Sequence, residues 1–260
     1  MKIHNYGGNL LNNNYKFNKN ITLSDTKYKY YFYIIKKDET ISINLNYYSI
    51  YILRKNNSAK LKVNNKQINI KKDDCINFYN YSKNDVHSVG GTITVLVSGV
   101  KKRTQEKTQY EVIKKSKIYT VQKPWGNEKW INGRGKFYAF KKIYLKKNFK
   151  TSLQYHNYKM ETNLLFNGKA NLVYKKNKKV DNKFVQKSDL GIKKINSISS
   201  VFVTPKVLHR IHALSNITLF ETSTPHLDDV IRVSDDLNRV NGLIKSEHKI
   251  VYANDNDKDS

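Results

Sequence analysis

Four residues in the second half of the chain have the types and spacing to hold a divalent cation. Gln154 and His156 stand two apart in the run Thr-Ser-Leu-Gln-Tyr-His-Asn-Tyr-Lys-Met-Glu at residues 151–161. On a strand, both side chains leave the same face, because successive residues alternate. Glu161 joins them if the chain turns at 157–159 and re-enters the next strand. A later strand supplies His209, at the end of Thr204-Pro205-Lys206-Val207-Leu208-His209. Two imidazoles, a carboxylate and an amide oxygen form a mixed shell that suits Zn²⁺, Mn²⁺, Fe²⁺, Co²⁺ or Ni²⁺ and leaves positions open for water or substrate. A Gln-x-His pair alone is a weak signal, since strand histidines commonly serve the core or the surface. The spacing of the whole set carries the reading.

Such a set needs short strands to position it, and the sequence has their rhythm. In the first half the expected strands are 28–35, 40–45, 49–54, 60–63, 67–70, 75–79 and 92–97. Asn64-Asn65, Lys72-Asp73 and Gly90-Gly91 punctuate them. From Tyr119 the rhythm resumes at 136–145, 162–166, 170–175, 201–203 and 218–223. Strands this short and evenly spaced predict a sandwich or barrel rather than a parallel α/β sheet. The halves read as two copies of one β-rich architecture. A polar arm (1–20), a first β domain (21–105), a charged connection (106–117), a second β domain (118–240) and a polar tail (241–260) are the expected organisation.

Composition narrows the function classes. The 260 residues suffice for one large or two small domains, and 19 Tyr with 10 Phe supply strand-forming bulk despite a 38% hydrophobic fraction. The net charge of +27 invites a nucleic-acid partner. Against that, the only arginines are Arg54, Arg103, Arg134, Arg210, Arg232 and Arg239, and nucleic-acid sites favour Arg for its bidentate fork. The lysines are spread along the chain among Asn, Ile and Tyr, a mixture that AT-rich coding sequence writes into any surface. A nucleic-acid partner is therefore not expected, while anionic small molecules remain compatible with the charge. Cys75 is the single cysteine, so no disulfide framework forms. No signal peptide and no apolar stretch of membrane-spanning length is visible, and a cytoplasmic protein is expected.

Residues 150–168 resemble the first motif of the cupin superfamily, roughly His-x-His, three or four residues, Glu, six residues, Gly. Gln154 stands at the first His position, four residues separate His156 from Glu161, and six separate Glu161 from Gly168. Residues 204–209 resemble the second motif, which supplies the last His. The Leu-Gln-x-His form resembles the mannose-6-phosphate isomerase branch, particularly the cupin domain of its type II enzymes. Lys123-Pro124-Trp125-Gly126 and Leu227-Asp228-Asp229-Val230-Ile231-Arg232, with Asp235, Asp236 and Arg239, resemble further signatures of that branch. The chain departs from the pattern at Lys206, where a glycine is expected, at Lys159 in place of Arg, and at Thr162 in place of His. Leu237-Asn238-Arg239 replaces Tyr-Gly-Arg, and no nucleotide-binding glycine loop accompanies the domain.

The resemblance implies an all-β fold of two cupin-like (double-stranded β-helix or jelly-roll) barrels in tandem. The first would be a degenerate copy without a metal site, with His87 structural or at the surface. The second would hold a divalent metal, Zn²⁺ foremost, on Gln154, His156, Glu161 and His209. The implied activity is isomerisation of a sugar phosphate, interconverting aldose and ketose through an enediolate. Glu221 or a coordinated water would move the proton, and Arg232 and Lys159 would hold negative charge. Each has a plainer reading: Glu221 as half of an ion pair, Arg232 in a salt bridge to Asp228, Asp229 or Asp235, Lys159 as a turn residue. His212, an odd step from His209, is expected outside the pocket. The alternative to turnover is a binding or regulatory cupin that holds a sugar or sugar phosphate. A homodimer is a further expectation from the resemblance.

Overall fold

The computed structural model describes residues 1–5, 27–64, 66–81, 84–102, 104–105, 107–132, 135–176 and 181–244. Strands dominate throughout. In chain order they are β1 (Lys2–Asn5), β2 (Lys29–Ile35), β3 (Thr40–Ile43), β4 (Tyr47–Lys55), β5 (Lys60–Val63), β6 (Lys66–Ile68) and β7 (Cys75–Tyr79). There follow β8 (Asn84–Val89), β9 (Ile93–Val100), β10 (Gln109–Ile113), β11 (Tyr119–Lys123), β12 (Gly126–Asn132), β13 (Ala139–Leu145) and β14 (Leu153–Tyr155). The last seven are β15 (Glu161–Asn167), β16 (Lys169–Lys175), β17 (Leu190–Asn196), β18 (Ser199–Val203), β19 (His209–Ala213), β20 (Ile217–Ser223) and β21 (Ile231–Ser234). Helix is limited to three single 3₁₀ turns among the described residues, so no helix there is long and apolar enough to cross a membrane.

The chain divides into two compact units. One comprises the described residues of 11–119 together with 130–141. Its strands form a five-stranded sheet, β10-β7-β4-β9-β2, and a four-stranded sheet, β3-β8-β5-β6. Alternation decides which residues meet between them. Ile50 and Ile52 of β4, Val95 and Val97 of β9, and Ile76 and Phe78 of β7 pack with Ile43, Leu61, Val63 and Val86 in one apolar cluster. β4 is also buried on its other face, where Ser49 donates to Asn77 Oδ1 at 2.6 Å and lies 2.7 Å from the hydroxyl of Tyr138. That contact explains why 130–141 joins this unit. A strand buried on both sides reads as a near-continuous hydrophobic run, as Tyr47–Leu53 does with Ser49 its one non-aromatic polar residue.

The other unit comprises the described residues of 1–10, 120–129 and 142–260. A seven-stranded sheet, β1-β18-β15-β20-β13-β12-β11, and a five-stranded sheet, β17-β16-β19-β14-β21, make up its layers. Leu165, Val201, Val203 and Leu219 of the first sheet pack with Ala170, Leu172, Ile211 and Ala213 of the second. The all-β, paired-sheet architecture expected from the sequence is what forms.

Local differences have physical causes. The segment expected as a polar arm supplies β1, which pairs antiparallel with β18. The expected connection contains β10, which pairs with β7 through Gln109↔Tyr79 to Ile113↔Cys75. Both are edge strands in their sheets, where one face or one edge meets solvent and polar residues carry no penalty. β8, absent from the expected strands, is Asn-Asp-Val-His-Ser-Val, with its two apolar residues three apart rather than alternating. The turn residues behave as their chemistry requires: Asn64, Asp73 and Gly90 all adopt positive φ. His87 bonds Thr40 Oγ1 through Nδ1 at 2.7 Å, on the face of β8 opposite Val86.

Candidate metal centre

Strand register assembles the site in the second unit. Glu161 and Asn163 of β15 leave the same face as Leu165, the face turned to the core. On β20, Glu221 lies directly opposite Asn163, so its side chain joins that face. On the facing sheet, His209 shares the inner side of β19 with Ile211 and Ala213. His212 is on the other side, opposite Asn171, as the odd spacing requires. Gln154 of β14 sits directly opposite His209, which places both side chains on one face.

His156, Glu161 and His209 are all buried, and one ligand atom from each lies within 4.8 Å of the others. Among the described residues this is the group of His, Cys, Asp or Glu side chains that converges at such distances. Glu161 Oε1 is 3.0 Å from His209 Nε2, and Glu161 Oε2 is 3.4 Å from His156 Nε2. The outer ring nitrogens settle the tautomers. His156 Nδ1 meets the carbonyl oxygen of Asp229, and His209 Nδ1 meets that of Val207 at 3.0 Å. A carbonyl only accepts, so both Nδ1 atoms carry the proton.

Both Nε2 atoms face the Glu161 carboxylate, and His156 Nε2 is buried without a hydrogen-bond partner. Two imidazole nitrogens and a carboxylate converging in a buried site are a donor set that a divalent cation takes. The residues therefore fit a divalent metal, with backbone carbonyls orienting both imidazoles as metal sites usually require. Gln154 is on the right face, and its Oε1 accepts from Ser152 Oγ at 2.5 Å.

A lysine lies among these groups. Lys159 is buried, and its Nζ donates to Glu161 Oε2 at 2.6 Å and to Glu221 Oε1 at 2.8 Å. Burial pulls the Lys159 ammonium down, but the Glu161 and Glu221 carboxylates outweigh it and raise the pKa. Burial pushes Glu161 up, while the Lys159 ammonium beside it outweighs that and holds the carboxyl well below the usual carboxylate range. One ammonium against two carboxylates leaves a buried negative charge, which a divalent cation reverses. Asn163 Nδ2 completes the shell around Glu161 Oε1 at 2.9 Å.

The structure thus brings together His156, Glu161, His209, Lys159 and Glu221. Glu221 is half of an ion pair, with Lys159 at 2.8 Å. Arg232 lies on β21. It registers opposite Gln154, yet its Nη1 donates to the carbonyls of Val240 and Gly242, at 2.9 Å for the latter. Backbone acceptors at 240 and 242 take up that guanidinium nitrogen, and the Arg232 charge also acts on the Asp235 carboxylate.

Two residues escaped the sequence reading. Asn163 was detectable: it is a polar residue two places after Glu161 on the same strand, and so shares its face. Asp229 was visible in a signature but not as a contact. Lys206, at the expected glycine, adopts φ 65°, so the turn keeps its left-handed geometry, and its N–H donates to the carbonyl of His156 at 2.6 Å.

Comparison with known proteins places this geometry in context. The sequence matches the family described as mannose-6-phosphate isomerase C-terminal over residues 105–235. No curated protein matches by sequence. Among solved structures, an oxalate decarboxylase from Lactobacillus farciminis in complex with formate superposes with a TM-score of 0.55 at 8% identity, covering 77% of each chain. GK1651 from Geobacillus kaustophilus gives a TM-score of 0.57 at 6% identity, covering 76% of this chain and 83% of its own. A salicylate 1,2-dioxygenase from Pseudaminobacter salicylatoxidans gives 0.51 at 9% identity, covering 80% of this chain and 72% of its own. At such identities the likeness shows the fold alone, and that fold is the cupin barrel.

Proposed function

This chain belongs to the mannose-6-phosphate isomerase C-terminal family, and from that premise we propose that it is a metal-dependent sugar-phosphate isomerase. The observation that carries the reading is the buried convergence of His156, Glu161 and His209 beside the Lys159–Glu221 pair. A divalent metal, Zn²⁺ foremost, would be held by those three residues with Gln154, and supplies Lewis-acid polarisation of substrate oxygens.

The chain's own residues do the rest. Val207 and Asp229 carbonyls keep the proton on Nδ1 of each histidine, so Nε2 stays a ligand. Glu221 is the base that moves a proton between the two adjacent carbons of the aldose and ketose. Lys159, already between the carboxylates, neutralises charge that develops on the substrate oxygens. Arg232 holds the 240–242 segment through its carbonyl bonds. With the metal in place the buried groups carry net positive charge, which suits an anionic substrate.

The test is an isomerase assay with mannose 6-phosphate, on protein stripped by chelator and then supplied with Zn²⁺, Mn²⁺, Co²⁺ or Ni²⁺. Metal-dependent fructose 6-phosphate, lost in Glu161→Ala, is the expected result. Stoichiometric metal uptake with no product from any metal overturns isomerisation of this sugar and favours a binding role.

A further inference from the structure

The turn from His156 to Glu161 has to present two ligands from an irregular segment, and one acidic residue organises it. Asp229 Oδ1 accepts from the N–H of Asn157 at 2.8 Å, and its Oδ2 accepts from Tyr158 at 2.5 Å and Lys159 at 2.8 Å. The same residue's main-chain carbonyl takes the Nδ1 proton of His156. Register explains the reach. β14 and β21 pair as Gln154↔Arg232 and Tyr155↔Ile231. Extending that antiparallel ladder by two residues sets Asn157 beside Asp229.

Three successive N–H groups pointing to one place form a small anion-binding nest. A carboxylate, with two acceptor oxygens, satisfies all three; an amide offers one acceptor and turns a donor toward the others. The bonds hold Asn157 next to the ligand His156, Tyr158 after it, and the buried Lys159 itself. Lys159 then reaches Glu161 from a turn whose backbone Asp229 has set.

We propose that Asp229 is the positioning residue of the metal centre, fixing the 157–159 turn through its carboxylate and the His156 tautomer through its carbonyl. This rests on the metal reading of the site, and predicts that losing the carboxylate degrades metal geometry even where the fold survives. Asp228, its neighbour, is exposed and serves as a charge-matched control.

The experiment titrates Co²⁺ into chelator-stripped full-length protein, using competition with a chromophoric chelator for affinity and the visible absorption bands for geometry. Wild type, Asp228→Asn, Asp229→Asn and Asp229→Ala are compared, with circular dichroism confirming the fold of each. The expected result is a loss of about ten- to a hundred-fold in Co²⁺ affinity for Asp229→Asn, with altered bands at saturation and an unchanged Asp228→Asn. Asp229→Asn keeps one acceptor oxygen, so it carries the test if Asp229→Ala does not fold. Affinity within about two-fold of wild type and identical bands would overturn the positioning role, even if the melting temperature fell. Wild-type protein that takes up no Co²⁺ would overturn the metal reading itself and this role with it.

Discussion

The two units share one architecture and spend their interiors differently. In the first, Ile43, Ile50, Leu61, Ile76, Val86, Val95 and Val97 fill the space between the sheets, with Tyr48 and Phe78 stacked at 4.6 Å. Among its buried polar groups, Ser49 and Asn77 lie on the outer face of β4 and β7, and the buried Asp74 carboxylate pairs with the more exposed Lys114 at 3.2 Å. In the second, the apolar cluster around Leu165, Leu172 and Leu219 gives way to His156, Lys159, Glu161, His209 and Glu221. A barrel of this kind is stable when closed by apolar packing alone. Ionic groups inside it persist only as a mutually satisfied set, because an isolated buried charge costs several kcal/mol.

The comparison breaks most sharply at Lys159. Lys159→Met strands two buried carboxylates, so the metal-free protein should lose about 3–5 kcal/mol in urea unfolding. Saturating metal should recover more stability in this variant than in wild type. A loss under about 1 kcal/mol would mean that the carboxylates are neutralised elsewhere.

On the apolar side, Ile50→Ala should cost about 2–5 kcal/mol by leaving a cavity. Metal affinity should stay at the wild-type value, since Ile50 belongs to the other unit. A fall in affinity would show that the site depends on the first unit's packing.

The pH profile of the metal-free protein sharpens the contrast. Glu161 is held below its ordinary range, so its stabilisation is full above the unfolded carboxylate value of 4.5. It fades as pH falls toward the folded value. Lys159 is raised above 10.5, so its contribution is full below that value and fades as pH rises through the folded one. Urea midpoints should therefore hold between these limits and decline outside them. In Lys159→Met the alkaline decline from this pair should vanish.

The smallest effect is expected at Lys206→Gly. Glycine removes left-handed strain, but its unfolded chain is more flexible and the contact from Lys206 Nζ to Asn157 is lost. Stability should change by no more than about 1 kcal/mol. A larger loss would make the Lys206–Asn157 contact, rather than the backbone, the important feature of the turn.

Much of this was legible in the linear sequence. The strands at 60–63 and 75–79 fall where β5 and β7 form, because alternation and β-branched residues mark them plainly. Edge strands such as β1 and β10 were not, since their residues satisfy no strict apolar alternation. The histidines and Glu161 were marked by spacing, while Asp229 was not, because its partners lie about seventy residues away in sequence.

By itself the sequence determined which residue types and which strand faces were available. A period of two tells whether Gln154 and His156 agree and His209 and His212 disagree, whatever the rest of the chain does. Only the tertiary structure decided that Lys159 turns inward to bridge Glu161 and Glu221, that Arg232 meets the carbonyls at 240 and 242, and that Asp229 sets the ligand turn. Those contacts join segments far apart in sequence, and local pattern carries no information about which of several charges a buried carboxylate will meet.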